Sequence, residues 1–250
     1  MLLIQQLSDQ RWVASTTKEP LADLGFSTMP SLQHEWIPDV FVVSLATFTL
    51  VSLLLSAEAW IDAIVIFRRF CWLTGTLYLL RSVTIIVTTL PCPRGCEPIV
   101  SQNFKEFLWN GCLLMFGVQK TCSDNIFSGH TMILVSSMLM WQVYGKNAWL
   151  KLYSIIHCLV GIITIVATRM HYTVDIVIAI LLTFSVYSMY LSLVSEATRN
   201  RLYSLSGLDS LKHLDDSEYQ SLLLTDNSIN RRLVSLIIWL DGLDLRWNCT

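Results

Sequence analysis

The chain has 250 residues, of which 53% are hydrophobic and only 14% charged, and its mean hydropathy is +0.53. Soluble domains carry about 25% charged residues, so this composition indicates a membrane protein and excludes an ordinary soluble enzyme. The formal net charge is -2, which offers no basic surface, and no nucleic-acid partner is expected.

Five segments are apolar over nearly the length, about 20 residues, that a helix needs to cross a bilayer core. They are predicted at 40–57, 70–90, 126–145, 152–168 and 172–194. A further apolar stretch, 107–118, is too short to span and is predicted to be an interfacial or re-entrant helix. Because a helix satisfies its own backbone hydrogen bonds in lipid, the predicted fold class is an all-α polytopic transmembrane helix bundle.

Basic residues beside the spans predict the orientation of the bundle. Three basic groups fall on one side of the alternating topology: Arg68 with Arg69, Lys146 with Lys151, and Arg199 with Arg201. The positive-inside rule places that side in the cytosol. The chain then divides into a lumenal or extracellular segment 1–38, a transmembrane bundle 39–194 and a cytosolic tail 195–250.

Four of the seven cysteines fall in the predicted external loop 91–125: Cys92, Cys96, Cys112 and Cys122. An oxidising compartment would allow disulfides among them in three possible pairings, and buried free thiols are the alternative. The histidines and cysteines do not have the spacing of a zinc site. Neither a metal nor another cofactor is expected.

Two short motifs carry the ionisable residues that lie nearest to the membrane. Ser128, Gly129 and His130 open the third predicted span, and His171 and Asp175 lie at the opening of the fifth. Both openings face the external side in the predicted topology. Ionisable residues at membrane depth are costly, so they are functional hypotheses by default.

The spacing within these motifs indicates phosphate chemistry. On a helix, His171 and Asp175 would share one face, where the carboxylate could accept the Nδ1 proton and direct Nε2 towards an electrophile. Gly129 permits close approach of a ligand, and the helix start after it presents free N–H groups to an anion. His130 would act beside that anion as general acid and base. The alternative for His171 and Asp175 is a structural hydrogen-bonded pair.

Four further residues are candidates for substrate binding: Arg81, Asp124, Ser128 and Arg169. Arg81 lies inside the second predicted span, so it should have an internal partner, either Asp23 or the substrate phosphate; a structural ion pair is the alternative. Arg169 could bind phosphate or act as an interfacial anchor.

The two motifs resemble the catalytic motifs of the sphingomyelin synthase family, which is part of the lipid phosphate phosphatase superfamily. Two more stretches match. Residues 19–26, EPLADLGF, resemble the Pro-Leu-Pro-Asp segment that follows the family's first span. Residues 81–84 and 90–93 resemble the family's Arg-Ser-x-Thr and Leu-Pro-x-Pro stretch. The four motifs occur in the family's order and cover about residues 19–195.

The resemblance implies an enzyme whose substrates are membrane lipids. It implies that His171 attacks the phosphorus of phosphatidylcholine, releasing diacylglycerol and forming a phosphohistidine that Asp175 stabilises. His130 would protonate the departing diacylglycerol and then deprotonate the hydroxyl of ceramide, giving sphingomyelin. No metal is needed in this scheme. The implied location is the Golgi or the plasma membrane, with the active site facing the lumen or the exterior.

The resemblance also implies six spans, against five predicted here. Residues 1–7 are too short for a signal or a span, so the expectation is that this form lacks the family's first helix. Ser123 stands where the family has glycine, close to the expected head-group site. Transfer of ethanolamine phosphate or inositol phosphate to ceramide, or hydrolysis of a lipid phosphate, therefore remains an alternative. A transporter or a non-catalytic membrane scaffold is the alternative from another functional class.

Overall fold

The structure, a computed structural model, describes residues 2–14, 20–55, 60–93, 98–101, 103–115, 122 and 126–205. Within these ranges it consists of helices and connecting segments without a β-strand. The helices are α1 (Leu2–Ala14), α2 (Leu24–Thr28), α3 (Trp36–Leu55), α4 (Trp60–Val87), α5 (Phe104–Met115), α6 (Gly129–Tyr144), α7 (Ala148–Ala167) and α8 (Thr173–Leu205).

Four of the described helices are long and apolar enough to cross a membrane. The candidate spans are Trp36–Leu55, Asp62–Val87, Ala148–Ala167 and Thr173–Ser195. They carry many exposed large apolar side chains, such as Val43, Val83, Ile163 and Leu181. Such side chains are unfavourable in water but suit contact with lipid tails. The predicted all-α polytopic bundle is confirmed, and the protein is a multi-pass membrane protein.

The third predicted span, 126–145, is a shorter helix than expected. Its helix, α6, has 16 residues, below the 18 or so that indicate a transmembrane helix. The helix begins at Gly129 because Ser128 caps it: the Ser128 Oγ accepts a hydrogen bond from Thr131 N at 3.3 Å. Most of α6 is buried in the protein, so many of its apolar side chains pack in the core rather than contact lipid.

The predicted start of the second span, at residue 70, was wrong. The prediction left Arg68 and Arg69 in a loop, whereas α4 begins at Trp60 and includes both arginines. Arg69 is buried, and both arginines have interaction partners. A helix can carry such long basic side chains because their stems pack along apolar surface.

The chain forms two compact units. The first comprises Met1–Leu53 and Leu73–Phe184, and the second comprises Leu54–Trp72 and Ser185–Thr250. The core of the first unit joins α3, α6, α7 and α8 through Leu45, Leu134, Val135, Cys158, Ile165, Val166 and Ile176. The described residues of the second unit include the buried Val65, Phe70, Tyr187 and Tyr190. All candidate site residues that the structure describes lie in the first unit.

Helix α1 was not anticipated from the sequence, because its buried face is polar. It packs against α5, where Gln6 Nε2 donates a hydrogen bond to Phe107 O at 3.0 Å. The Asp9 carboxylate accepts hydrogen bonds from Ile99 N and from Cys122 N, each at 3.1 Å. The N-terminal segment therefore anchors the connection between α4 and α6 through side-chain to backbone hydrogen bonds.

The predicted external loop contains both a short helix and a disulfide-bonded cysteine. The predicted short helix at 107–118 corresponds to α5, at Phe104–Met115. Cys122 is disulfide-bonded, whereas Cys92 and Cys112 are in the thiol form. Cys96 lies outside the described residues. Disulfide formation is thus confirmed for Cys122 alone among the three described cysteines of this loop.

Candidate active site

The candidate catalytic residues meet at one end of the first unit. His130 is in the first turn of α6, and His171 lies in the short connection between α7 and α8. Their ring centroids are 6.1 Å apart. Asp39 in the first turn of α3 and Arg81 in the second half of α4 reach the same place. The two motifs, about 40 residues apart in sequence, therefore form one cluster.

His171 and Asp175 are adjacent, but not for the reason that their spacing suggested. Helix α8 begins at Thr173, so His171 lies before the helix and the expected shared helical face was wrong. The carboxylate of Asp175 instead folds back over this turn, where Asp175 Oδ2 accepts a hydrogen bond from Tyr172 N at 2.9 Å. His171 Nδ1 lies 3.8 Å from the same Oδ2. The carboxylate thus faces Nδ1 and leaves Nε2 for a substrate.

The burial of His171 determines its protonation state. The side chain is only 5% exposed and Asp175 is fully buried. Burial lowers the pKa of His171 well below its usual 6.5, and the nearby His130 and Arg81 lower it further. The ring is therefore neutral at neutral pH, with a lone pair available on one nitrogen. A neutral imidazole beside a carboxylate is the form that a nucleophilic histidine requires.

His130 is paired with a carboxylate that sequence reasoning missed. His130 Nε2 donates to Asp39 Oδ1 at 2.7 Å. The pair is accessible, because the His130 side chain is 27% exposed and that of Asp39 is 43% exposed. The sequence offered one signal, an acidic residue in the first turn of a span whose start faces the same side as both histidines.

The start of α6 holds a buried cation. Arg81 is buried, and its guanidinium packs so closely on Gly129 that a Cβ added to Gly129 would overlap Arg81 Nη1. The N-terminal N–H groups of a helix and a guanidinium are both favourable partners for phosphate oxygens. Ser128 is turned towards its own helix, since its Oγ also accepts a hydrogen bond from Thr131 Oγ1 at 3.0 Å. Gly129 and Arg81 are thus placed for an anion, and Ser128 supports the helix start.

The remaining candidates have other positions. Arg169 has a positive φ of 55°; its guanidinium lies over the Phe26 ring, 5.7 Å from the centroid, and Nη2 donates to Phe26 O at 3.5 Å. Asp23, a suggested partner of Arg81, accepts hydrogen bonds from the start of α2 and from Thr173. Asp124 lies outside the described residues. No group of three or more potential metal ligands occurs among the described residues.

Comparison with known proteins finds sequences similar to the part of the chain that carries these motifs. The family described as PAP2 superfamily C-terminal matches residues 121–192, which include His130, His171 and Asp175. Phosphatidylcholine:ceramide cholinephosphotransferase 2 of Homo sapiens is 36% identical over 128 residues, which are 46% of this chain and 35% of the relative. The corresponding protein of Macaca fascicularis is 37% identical over 128 residues, which are again 46% of this chain and 35% of the relative.

A second group of relatives extends the match. Phosphatidylcholine:ceramide cholinephosphotransferase 1 of Homo sapiens is 31% identical over 144 residues, which are 53% of this chain and 35% of the relative. The chain therefore spans about a third of the length of the curated relatives that it matches.

Proposed function

Because part of this chain is similar to phosphatidylcholine:ceramide cholinephosphotransferases, we propose that it belongs to the sphingomyelin synthase family and transfers phosphocholine from phosphatidylcholine to ceramide, forming sphingomyelin and diacylglycerol. One observation carries the proposal. A neutral, buried His171 with its carboxylate lies opposite a second, partly exposed histidine, and the two ring centroids are 6.1 Å apart. The cluster thus brings a nucleophile and a proton carrier close together, as phosphoryl transfer requires.

In the first step, His171 Nε2 attacks the phosphorus of phosphatidylcholine. The bond between phosphorus and the diacylglycerol oxygen breaks, and His130 gives a proton to that oxygen. The histidine becomes a phosphohistidine carrying the choline head group. Asp175 faces Nδ1 and stabilises the positive charge that develops on the ring.

The transition state carries extra negative charge on the phosphoryl oxygens. Arg81 and the first N–H groups of α6 supply positive potential in a buried setting, where it is stronger than in water. We assign the phosphate-binding role to Gly129 and Arg81 on this basis.

In the second step, the primary hydroxyl of ceramide attacks the phosphohistidine. His130, now neutral, takes the hydroxyl proton while the bond between phosphorus and Nε2 breaks, and His171 returns to its starting form. The contact between Asp39 and His130 supports this exchange, since the carboxylate stabilises the protonated ring that links the two steps.

The proposal extends to the location of the enzyme. We place it in the Golgi or the plasma membrane, with the cluster of His130 and His171 on the lumenal or extracellular side and the tail 195–250 in the cytosol. Support comes from two basic groups near the opposite ends of the spans, Lys146 with Lys151 and Arg199 with Arg201.

The test measures transfer to labelled ceramide in detergent or liposomes. The donors are phosphatidylcholine, phosphatidylethanolamine and phosphatidylinositol, each offered alone. The wild-type chain is compared with His171→Ala and with His34→Ala, which removes an exposed histidine outside the cluster. We expect transfer from phosphatidylcholine that His171→Ala lowers by roughly a thousandfold or more, while His34→Ala retains it.

Two further measurements distinguish the alternative activities. Incubation with head-group-labelled donor without ceramide should leave acid-labile label on the wild type and none on His171→Ala. Release of the phosphorylated head group to water without transfer to ceramide would identify a lipid hydrolase rather than a transferase, and preference for another donor would reassign the head group. Equal transfer by wild type and His171→Ala would rule out the proposed nucleophile.

A further inference from the structure

We propose that Asp23 is a positioning residue for His171: it caps the start of α8 from the N-terminal segment and thereby fixes the turn that carries the nucleophile. This inference rests on the proposed function, because it assigns Asp23 a role in the phosphotransfer at His171. It goes beyond that function, since Asp23 touches neither histidine in the scheme above.

The carboxylate of Asp23 joins two helix starts. Its Oδ2 accepts a hydrogen bond from Thr173 N at 2.8 Å, and its Oδ1 accepts one from Thr173 Oγ1 at 2.6 Å. The same Oδ1 accepts from Gly25 N at 2.8 Å and from Phe26 N at 3.3 Å. Asp23 therefore caps its own helix, α2, and at the same time the first turn of α8.

The charge of Asp23 is suited to this position. Burial alone would raise the pKa of its carboxyl, but hydrogen bonds from Thr173, Phe26 and Gly25 outweigh burial and lower the pKa. The carboxylate is thus ionised at neutral pH, where the positive end of the α8 dipole also favours it. An amide could accept only through one oxygen and would turn its NH₂ group towards other donors.

Close packing makes the connection rigid. A Cβ added to Gly25 would overlap Thr173 Oγ1 and would come within 2.8 Å of Val166 Cγ1. Helix α2 is therefore pressed against the end of α7 and the start of α8. The hydroxyl of Tyr172 accepts a hydrogen bond from Leu21 N at 3.1 Å and donates one to Pro91 O at 3.0 Å. The two residues that follow His171 are thus both held by the N-terminal segment.

At the start of α8, two N–H groups that have no partner within the helix each donate to a different carboxylate. Asp175 Oδ2 accepts from Tyr172 N, and Asp23 Oδ2 accepts from Thr173 N. If Asp23 is removed, Thr173 N loses its hydrogen-bond acceptor. The nearby carboxylate of Asp175 can then accept this hydrogen bond instead. Asp175 would then turn away from His171 Nδ1. Asp23 thus keeps Asp175 available to the nucleophile.

The test compares Asp23→Ala with Asn147→Ala. Asn147 also caps a helix, α7, by accepting a hydrogen bond from Trp149 N at 2.9 Å, but at the other end of that helix. We expect both variants to lower Tm, Asp23→Ala more, because the carboxylate of Asp23 accepts four hydrogen bonds and the side chain of Asn147 accepts one at the start of α7. Only Asp23→Ala should lower kcat per folded enzyme, by tenfold or more, on the order of what a small misplacement of a reacting group costs. The KM for ceramide should be unchanged, and Asp23→Glu should restore part of kcat.

A milder variant covers the case in which Asp23→Ala does not fold. Thr173→Val keeps the N–H group but removes the hydroxyl that Asp23 accepts from, so it should lower kcat less. The double variant with Asp23→Asn and Thr173→Val should lose less kcat than the two single losses combined, because both substitutions weaken the same contact. Unchanged kcat in both Asp23→Asn and Thr173→Val, or an equal loss in Asn147→Ala, would overturn the proposal.

The failure of the proposed function can be told apart from the failure of this inference. Wild type without any transfer would contradict the proposed function itself. The rate at which diethyl pyrocarbonate modifies His171, read by mass spectrometry, then tests the positioning without activity. Asp23→Ala should increase this rate and Asn147→Ala should not; equal rates in wild type and Asp23→Ala would refute the positioning role.

Discussion

At the scale of single residues, each histidine of the cluster has a carboxylate beside it, but the two pairs differ in burial. His171 and Asp175 are almost entirely buried. His130 and Asp39 are partly exposed and lie 2.7 Å apart. A buried, neutral ring suits a nucleophile, whereas a ring in contact with solvent can exchange protons between turnovers. The roles that we propose, nucleophile for His171 and general acid–base for His130, follow from this difference in burial.

Asp39 is expected to be needed for proton transfer by His130. The substitution Asp39→Asn keeps the size of the side chain but removes the charge that stabilises protonated His130. We expect kcat to fall about tenfold, less than the roughly 10²- to 10⁴-fold loss that follows removal of a general acid–base group. The measurement is ceramide transfer at fixed pH, with Asp39→Glu as the charge-retaining control. Full activity in Asp39→Asn would exclude this role.

The burial of His171 predicts a loss of stability in acid. The pKa of His171 is lowered below 6.5 in the folded chain, so below about pH 6.5 the unfolded chain binds a proton that the native state excludes. The stability is therefore present above this pH and falls as the pH decreases, by at most about 1.4 kcal/mol per pH unit. Thermal unfolding between pH 7.5 and 5.5 should show a steeper decline for wild type than for His171→Gln. Identical slopes would contradict the assignment.

At the scale of elements, helix starts position the site. The first turns of α3, α6 and α8 contribute Asp39, His130 and Asp175, and the turn before α8 contributes His171. Side chains at helix starts are set by capping hydrogen bonds, such as that from Thr131 N to Ser128 Oγ. The geometry of the cluster thus depends on caps as much as on the packing of the spans.

Gly129 should not tolerate even one added carbon. In Gly129→Ala the new Cβ would overlap the guanidinium of Arg81, and overpacking of this kind typically costs about 1–3 kcal/mol. We expect displacement of Arg81 and at least a tenfold loss of kcat, on the order expected when a phosphate-binding group is misplaced. The matched control is Gly75→Ala, because Gly75 lies on the same helix as Arg81 and a Cβ there meets no atom within 4 Å. Equal activities of the two variants would contradict the expected crowding.

The sequence predicted those features that depend on local patterns. Apolar runs indicated α3, α7 and the candidate span within α8 to within a few residues, and the motifs around His130 and His171 named the two histidines that the fold brings together. Helix α1 was missed, since its buried face is polar and hydropathy gives no signal for it. The capping of α8 by Asp23 was missed because it joins residues 150 positions apart. Such contacts follow from the packing of the whole unit.

At the scale of the whole molecule, all described site residues belong to one of the two compact units. That unit includes the N-terminal segment, whose Asp9 and Asp23 hold the α4–α6 connection and the start of α8, respectively. The segment 121–192 that the family model matches is thus held in part by residues far from it in sequence. Truncations of the first 23 residues should therefore affect the site.

The orientation of the chain can be tested in sealed microsomes. One epitope tag is placed before Met1 and another, in a separate variant, after Thr250. The basic groups beside the spans predict that added protease removes the tag after Thr250 and spares the tag before Met1. Detergent should expose both tags, which controls for intrinsic resistance. The reverse pattern would place the histidine cluster on the cytosolic side and overturn the proposed orientation.

The 5% exposure of His171 bears on the competition between ceramide and water for the phosphohistidine that we propose. A phosphorylated ring enclosed by protein hydrolyses slowly, since few solvent molecules can approach it in line. Its lifetime then becomes long enough for a lipid that diffuses in two dimensions to arrive. The partition ratio, sphingomyelin formed per head group released, therefore reports how well this end of the bundle excludes solvent.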